Sequence, residues 1–159
     1  MAESTRKNVL ELKIPPLIVV LATAGLMWLV SRIAPRFVFK FPAREIIAMC
    51  FALAGIVSST LGFFSFKRAG TTVNPMKPDS SSALVNTGIY KLTRNPMYLG
   101  FLLTLFAWAI FLSNGLSFLC LPLFIFYMNR FQIEPEERAL AAIFRQEFAD
   151  YKTKVRRWI

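Results

Sequence analysis

The segment Gly88-Ile89-Tyr90-Lys91-Leu92-Thr93-Arg94-Asn95-Pro96-Met97-Tyr98-Leu99-Gly100 gathers cations, an amide and two phenols around a proline. Proline is well tolerated in the first turn of a helix, so Pro96 predicts a helix start there. The free backbone N–H groups of that first turn, together with the helix dipole, favour an anionic ligand group. Arg94 stands beside them and suits a carboxylate or phosphate in bidentate fashion. A second cluster follows about forty residues on: Arg130, Gln132, Glu134, Glu136 and Glu137. A carboxylate there suits an amine or a ribose diol, and the others suit helix capping. Tyr90, Arg94 and Tyr98 would serve equally as anchors at a membrane interface. The residues by themselves leave these readings open.

What is missing narrows the chemistry. The chain has no histidine, which removes the commonest general base and the commonest metal ligand. Its two cysteines, Cys50 and Cys120, each lie in an apolar run and read as buried thiols, so no metal site is expected. The chain of 159 residues is 55% hydrophobic, with a mean hydropathy of +0.49. A soluble domain of this size cannot hide so much apolar surface. The formal net charge is +10. Beside such apolar runs, that charge points to anionic headgroups rather than to nucleic acid. Residues 1–13 are polar, and the run after them lacks a small-residue cleavage site, so no cleaved signal peptide is expected.

The elements that must position the two clusters are helices. Apolar stretches at 14–33, 46–66, 97–112 and 116–131 predict about four transmembrane helices. The last two are short and separated by Ser113-Asn114-Gly115, a tight turn that predicts a hairpin. Pro122 predicts a kink in the fourth helix. Small residues at Ala54, Ser58 and Gly62, and at Gly55 and Ser59, predict close helix packing. A polar loop at 67–96 is long for so small a protein and therefore reads as functional. Glu134-Pro135-Glu136-Glu137 predicts a new helix over 135–155, amphipathic through Leu140, Ile143, Phe144, Phe148 and Tyr151. The tail through Trp158 reads as interfacial. The expected architecture is thus all-α and polytopic, one domain over 1–159. The N-terminal segment, the middle loop and the C-terminal segment carry 3, 5 and 7 Lys/Arg, against four on the opposite side. The positive-inside rule then puts both termini and the two clusters in the cytoplasm, as in a prokaryotic inner membrane.

Taken in order, Gly88-Ile89-Tyr90, Arg94-Asn95-Pro96-Met97-Tyr98-Leu99-Gly100, a hairpin, and Glu136-Glu137-Arg138-Ala139-Leu140 with Phe148, Tyr151 and Val155 behind it resemble the isoprenylcysteine carboxyl methyltransferase and phospholipid methyltransferase family. The resemblance spans roughly 71–158. It implies an integral membrane methyltransferase that uses S-adenosyl-L-methionine at the cytoplasmic face. Carried over by position, Asn74, Leu84, Val85, Tyr90, Asn95, Pro96, Met97 and Tyr98 fall where the family contacts its cofactor. Glu136 matches the acidic cofactor residue, and Arg94 is assigned to the cofactor's carboxylate. Asn95 stands where the family commonly has histidine. Gln132 stands where eukaryotic prenylcysteine enzymes have a substrate-side arginine, with Arg130 close by in sequence.

The implied reaction is methyl transfer to a lipid-like or prenylated acceptor bearing a carboxylate, amine or thiol. A carboxylate needs no base, whereas an amine or thiol must lose a proton. Arg94, Arg130 and Glu137 are the candidate catalytic side chains. The expected partners are the bilayer and the acceptor, with no nucleic acid. Two other classes compete: an NADPH-dependent membrane reductase, which carries a similar Arg-x-Pro-x-Tyr stretch, and a non-enzymatic membrane subunit.

Overall fold

The computed structural model describes residues 11–71, 74, 76 and 78–159. The polar N-terminus with Arg6 and Lys7, and Thr72, Val73, Pro75 and Lys77 of the middle loop, lie outside the described residues. Helix α1 runs Pro16–Ile33, opening on the proline pair. It stops at Ala34 because a residue before proline is pushed out of the helical region, and Pro35 follows. Helix α2 runs Arg44–Arg68 and ends before Gly70, whose φ of 63° reverses the chain. Helix α3 runs Pro96–Leu112, with Pro96 at its first position as predicted.

The hairpin after α3 is tight. Ser113 has a φ of 51° and sits in the left-handed region that ends helices. The Asn114 side chain accepts from Leu116 N–H at 3.0 Å and donates to the Ala34 carbonyl at 2.8 Å. That ties the hairpin to the end of α1. A 3-10 segment, Gly115–Leu119, leads into helix α4, Cys120–Met128. Pro122 falls in the first turn of α4, where its missing N–H costs little. The predicted kink is therefore displaced to two other places. One is a π-turn at Asn129–Ile133, which joins α4 directly to helix α5, Glu134–Lys154. The predicted gap between the fourth span and the C-terminal helix does not exist. Pro135 sits at the start of α5, and the wider π-turn accommodates the ring that a regular helix would drive into a carbonyl. The second irregularity is Arg145, with φ 39° and ψ −109°, which breaks α5.

Among the described residues, three helical segments are long and apolar enough to cross a membrane: α1, α2 and the continuous stretch beginning at Gly115. With 17 residues, α3 is apolar but shorter. Among the described residues there is no strand, only one isolated bridge between Val38 and Asn114. The protein is an all-α polytopic membrane protein. Leu21, Ile46, Met49, Leu53, Ile56 and Leu123 face outward, as lipid-facing side chains must.

The most extensive helix pair is α2 with α3, and small residues make it possible. Ala48, Gly55, Ser58 and Gly62 are buried on α2. Of the predicted stripes, Ser58, Gly62 and Gly55 face the partner, while Ala54 faces out. A Cβ on Gly55 would lie 2.6 Å from the Gly100 carbonyl, so the two backbones are in contact. Ser58 Oγ donates to the Pro96 carbonyl at 2.7 Å and Ser59 Oγ to that of Met97 at 3.2 Å. These carbonyls open the helix that carries the first cluster. A core of Met27, Leu105, Ala109, Phe124 and Met128 then joins α1, α3 and α4. A smaller core of Val85, Tyr90, Phe148, Tyr151 and Val155 sits on the loop side.

Candidate active site

Between the two cores lies a cavity of about 310 Å³. Asn74, Leu84, Val85, Tyr90, Arg94, Asn95, Met97, Tyr98 and Glu136 all line it. Pro96 does not: its ring is buried against Gly62 of α2. Of the candidate catalytic residues, Arg94 and Glu137 are at the cavity and Arg130 is not. Arg130 instead reaches Glu11 at 3.1 Å and Glu134 at 3.5 Å. Gln132 is fully buried and donates to the Ile14 carbonyl at 2.6 Å, so it too stands off the cavity.

The hairpin brings the two clusters into direct contact. Tyr98, in the first turn of α3, donates its hydroxyl to Glu136 Oε1 at the start of α5. Just before α3 begins, Arg94 Nη2 pairs with Glu137 Oε1 at 2.8 Å. Neighbouring carboxylates on one helix turn thus meet very different surroundings. Burial raises the Glu136 carboxyl to about 8; the Tyr98 hydrogen bond works against this and the nearby Glu137 charge adds to it. For Glu137 burial also pushes upward. Hydrogen bonds and charges from Arg157 and Arg94 outweigh it and hold this carboxyl below the ordinary range. Both Glu137 oxygens are engaged, Oε2 by Arg157 Nη2 at 2.7 Å. Glu136 therefore exchanges a proton near neutral pH, and Glu137 stays an anion.

The C-terminal segment closes over this pair like a strap. Arg94 N–H donates to the Arg156 carbonyl at 3.0 Å. The Asn95 amide donates to the Arg157 carbonyl at 2.9 Å, and Thr93 Oγ1 to the same carbonyl at 3.2 Å. The Arg94 guanidinium also donates to the Val155 carbonyl and, at 3.4 Å, to that of Lys152. Arg94 is thus spent largely on the protein itself. Trp158, expected at the membrane boundary, is half-buried and donates to Asn129 Oδ1 at 3.0 Å. Tyr151 donates to the Tyr90 carbonyl at 2.6 Å. Burial pushes the Tyr90 and Tyr151 phenols upward, so both stay protonated.

Several wall residues escaped the sequence reading. Pro15 with Pro16 and Leu17 of α1 supply one side, and Phe66 of α2 and Phe101 supply others. Phe148 and Tyr151 also line the cavity; their helical spacing marked them as an apolar face, without showing what that face covers. Within the same set Ile143 points outward.

The arrangement can hold a small amphiphilic ligand: an apolar and aromatic lining, one titrating carboxylate with a phenol, and the N–H groups at the start of α3. Comparison with known proteins agrees in kind. An uncharacterized protein of Haemophilus influenzae is 48% identical over 63 residues, 40% of this chain and all of that protein. The protein-S-isoprenylcysteine O-methyltransferase of Saccharomyces cerevisiae is 32% identical over 117 residues, 69% of this chain and 46% of that one. A probable protein-S-isoprenylcysteine O-methyltransferase of Oryza sativa subsp. indica is 28% identical over 109 residues, covering 69% and 57% of the two chains. The match thus spans about half the length of these named relatives. No solved structure matches the chain. The sequence profile of the phospholipid methyltransferase family matches residues 43–147, which take in α2, α3, the hairpin and the Tyr98–Glu136 contact. With about two thirds of its length so matched, the chain belongs to the phospholipid methyltransferase family.

Proposed function

We propose that the chain, acting as a single domain, transfers a methyl group from S-adenosyl-L-methionine to a lipid-like or prenylated acceptor at the cytoplasmic membrane face. The observation that carries this is the Tyr98–Glu136 pair beside the start of α3, lining a cavity that is otherwise mostly apolar. Its volume of about 310 Å³ lies at the lower end of the range of roughly 300–1,000 Å³ usual for small-molecule sites. The donor set fits the cofactor: a carboxylate for an amine or ribose diol, backbone N–H groups for a carboxylate, and aromatic rings for a purine. When bound, S-adenosyl-L-methionine supplies an electrophilic methyl group on a sulfonium.

The chain's own residues bind, orient and exclude water. Asn74, Leu84, Val85, Tyr90, Asn95, Met97, Tyr98 and Glu136 hold the cofactor; Pro96 acts from behind by setting the first turn of α3. Arg94 acts as a positioning residue, because its guanidinium is committed to Glu137 and the strap carbonyls. Glu137 fixes Arg94 and Arg157 and thereby keeps the strap closed. Where the acceptor is an amine or thiol, Glu136, pushed up to about 8, can take its proton once the pH exceeds that value. A carboxylate acceptor needs none. The apolar lining excludes water from the reacting groups. Homology to protein-S-isoprenylcysteine O-methyltransferases supports a prenylated or similarly apolar acceptor.

The test is calorimetric titration of the detergent-purified chain with S-adenosylhomocysteine, with NADPH as the competing ligand. Saturable binding of the first and none of the second is expected. NADPH binding alone would replace this reading with the reductase, and binding of neither would leave a non-enzymatic subunit. Glu136→Ala is expected to weaken S-adenosylhomocysteine binding by about tenfold or more, the loss of one hydrogen bond to a buried carboxyl. Unchanged affinity would remove Glu136 from the site.

A further inference from the structure

Residues 11–14 lie across the π-turn as a latch. Leu12 N–H donates to the Phe131 carbonyl at 3.0 Å, and Gln132 Nε2 to the Ile14 carbonyl at 2.6 Å. Glu11 uses both carboxylate oxygens, Oε1 toward Arg130 at 3.1 Å and Oε2 toward Arg138 at 2.5 Å. Its side chain is 8% exposed, whereas the two arginines remain 36% and 43% exposed. The latch is also strained: Leu12 has a φ of 57°, left-handed backbone that a leucine rarely adopts. Gln132 Oε1 is buried and, among the described residues, has no hydrogen-bond partner. Directly after the latch come Pro15, Pro16 and Leu17, one wall of the cavity.

A carboxylate bridging two guanidinium groups is the arrangement by which proteins hold phosphates and carboxylates. Here the anion is the chain's own, and the arginines can still be reached from outside. They sit where the fourth apolar segment ends, the level of lipid headgroups in a spanning protein. Glu134 shares Arg130 at 3.5 Å and Arg157 at 4.0 Å, so an incoming anion meets one further carboxylate.

We propose that Arg130 and Arg138 form a binding site for the phosphate or carboxylate of a membrane amphiphile, with Glu11 as a built-in stand-in. Displacing Glu11 frees residues 11–17 and opens the α1 wall of the cavity. This goes beyond the methyl-transfer reading and stands whatever ligand the cavity takes.

The full chain is placed in nanodiscs of phosphatidylcholine, with or without phosphatidylglycerol. Bound phosphatidylglycerol is counted by native mass spectrometry, and hydrogen exchange is followed at Leu12, Lys13, Ile14 and Leu17. Phosphatidylglycerol should bind and speed exchange there several-fold. Glu11→Gln, which removes the competitor, should bind it more tightly and exchange fast even in pure phosphatidylcholine. The double variant Arg130→Gln, Arg138→Gln should lose the bound lipid. Acceleration by inorganic phosphate equal to that by the lipid supports the site and assigns it to free phosphate. If Glu11→Gln binds phosphatidylglycerol no better than the natural chain, or if the double variant retains it, the proposal is overturned, whatever S-adenosylhomocysteine does.

Discussion

The α2–α3 seam and the polar edge around Glu137 are built on opposite principles. The seam carries glycines and serines whose backbones touch, with hydroxyls reaching carbonyls across it. Between apolar helices in lipid there is little hydrophobic drive, so close approach and interhelical hydrogen bonds must hold the pair. The polar edge uses charge-assisted hydrogen bonds from Arg94 and Arg157 to one carboxylate, with the strap carbonyls as further acceptors. The seam leaves no space for a side chain, whereas the edge is a set of polar contacts with Arg157 30% exposed. A rigid floor under a releasable cover suits a cavity that must admit a ligand of the cavity's own size.

The comparison can be broken at the seam first. Gly100→Val places side-chain atoms against the Gly55 carbonyl and Ser59 Oγ. It should cost about 3 kcal/mol, near the top of the range for overpacking. Denaturation titrated in mixed micelles would read this, and a loss below about 1 kcal/mol would mean that the seam adapts after all. At the edge, Glu137→Gln leaves two arginines facing a neutral amide. A loss of about 2 kcal/mol is expected, less than for a fully buried pair because Arg157 is 30% exposed. The membrane helices should keep their helical signal while protease cuts the strap sooner.

The smallest effect separates the two adjacent carboxylates by pH. The folded chain keeps a proton on Glu136 up to about 8, and the unfolded chain releases it near 4.5. The folded state thus binds more protons between those values, and this group's contribution falls as pH rises through that window. Glu137, depressed in the folded state, contributes stability above the unfolded value that is lost as pH falls below it. The midpoint of thermal unfolding should therefore drop by a few degrees between pH 6 and 8, and Glu136→Gln should flatten that slope. A slope that survives the substitution would assign the titration elsewhere.

Much of this was readable from residue order. Apolar runs and the Ser113-Asn114-Gly115 turn are local signals, and they specify the helices and the hairpin because a bilayer demands satisfied backbones over a set length. The juxtaposition of Tyr98 and Glu136 follows from two antiparallel helices joined by a short turn. Pro135 marked the start of α5 correctly; what residue order did not show is that the π-turn before it joins α5 to α4 without a gap.

What the sequence determined by itself is therefore an all-α membrane chain with its polar clusters at one end, because hydropathy and turn chemistry act over a few residues. Tertiary structure alone decided that Arg94 is committed to Glu137 and the strap, and that Arg130 turns away to Glu11. It also decided that Pro15–Leu17 and Tyr151 wall the cavity. Those outcomes depend on which of several carboxylates and carbonyls lies nearest each cation. They join residues as far apart as Glu11 and Arg138, and no spacing along the chain encodes that.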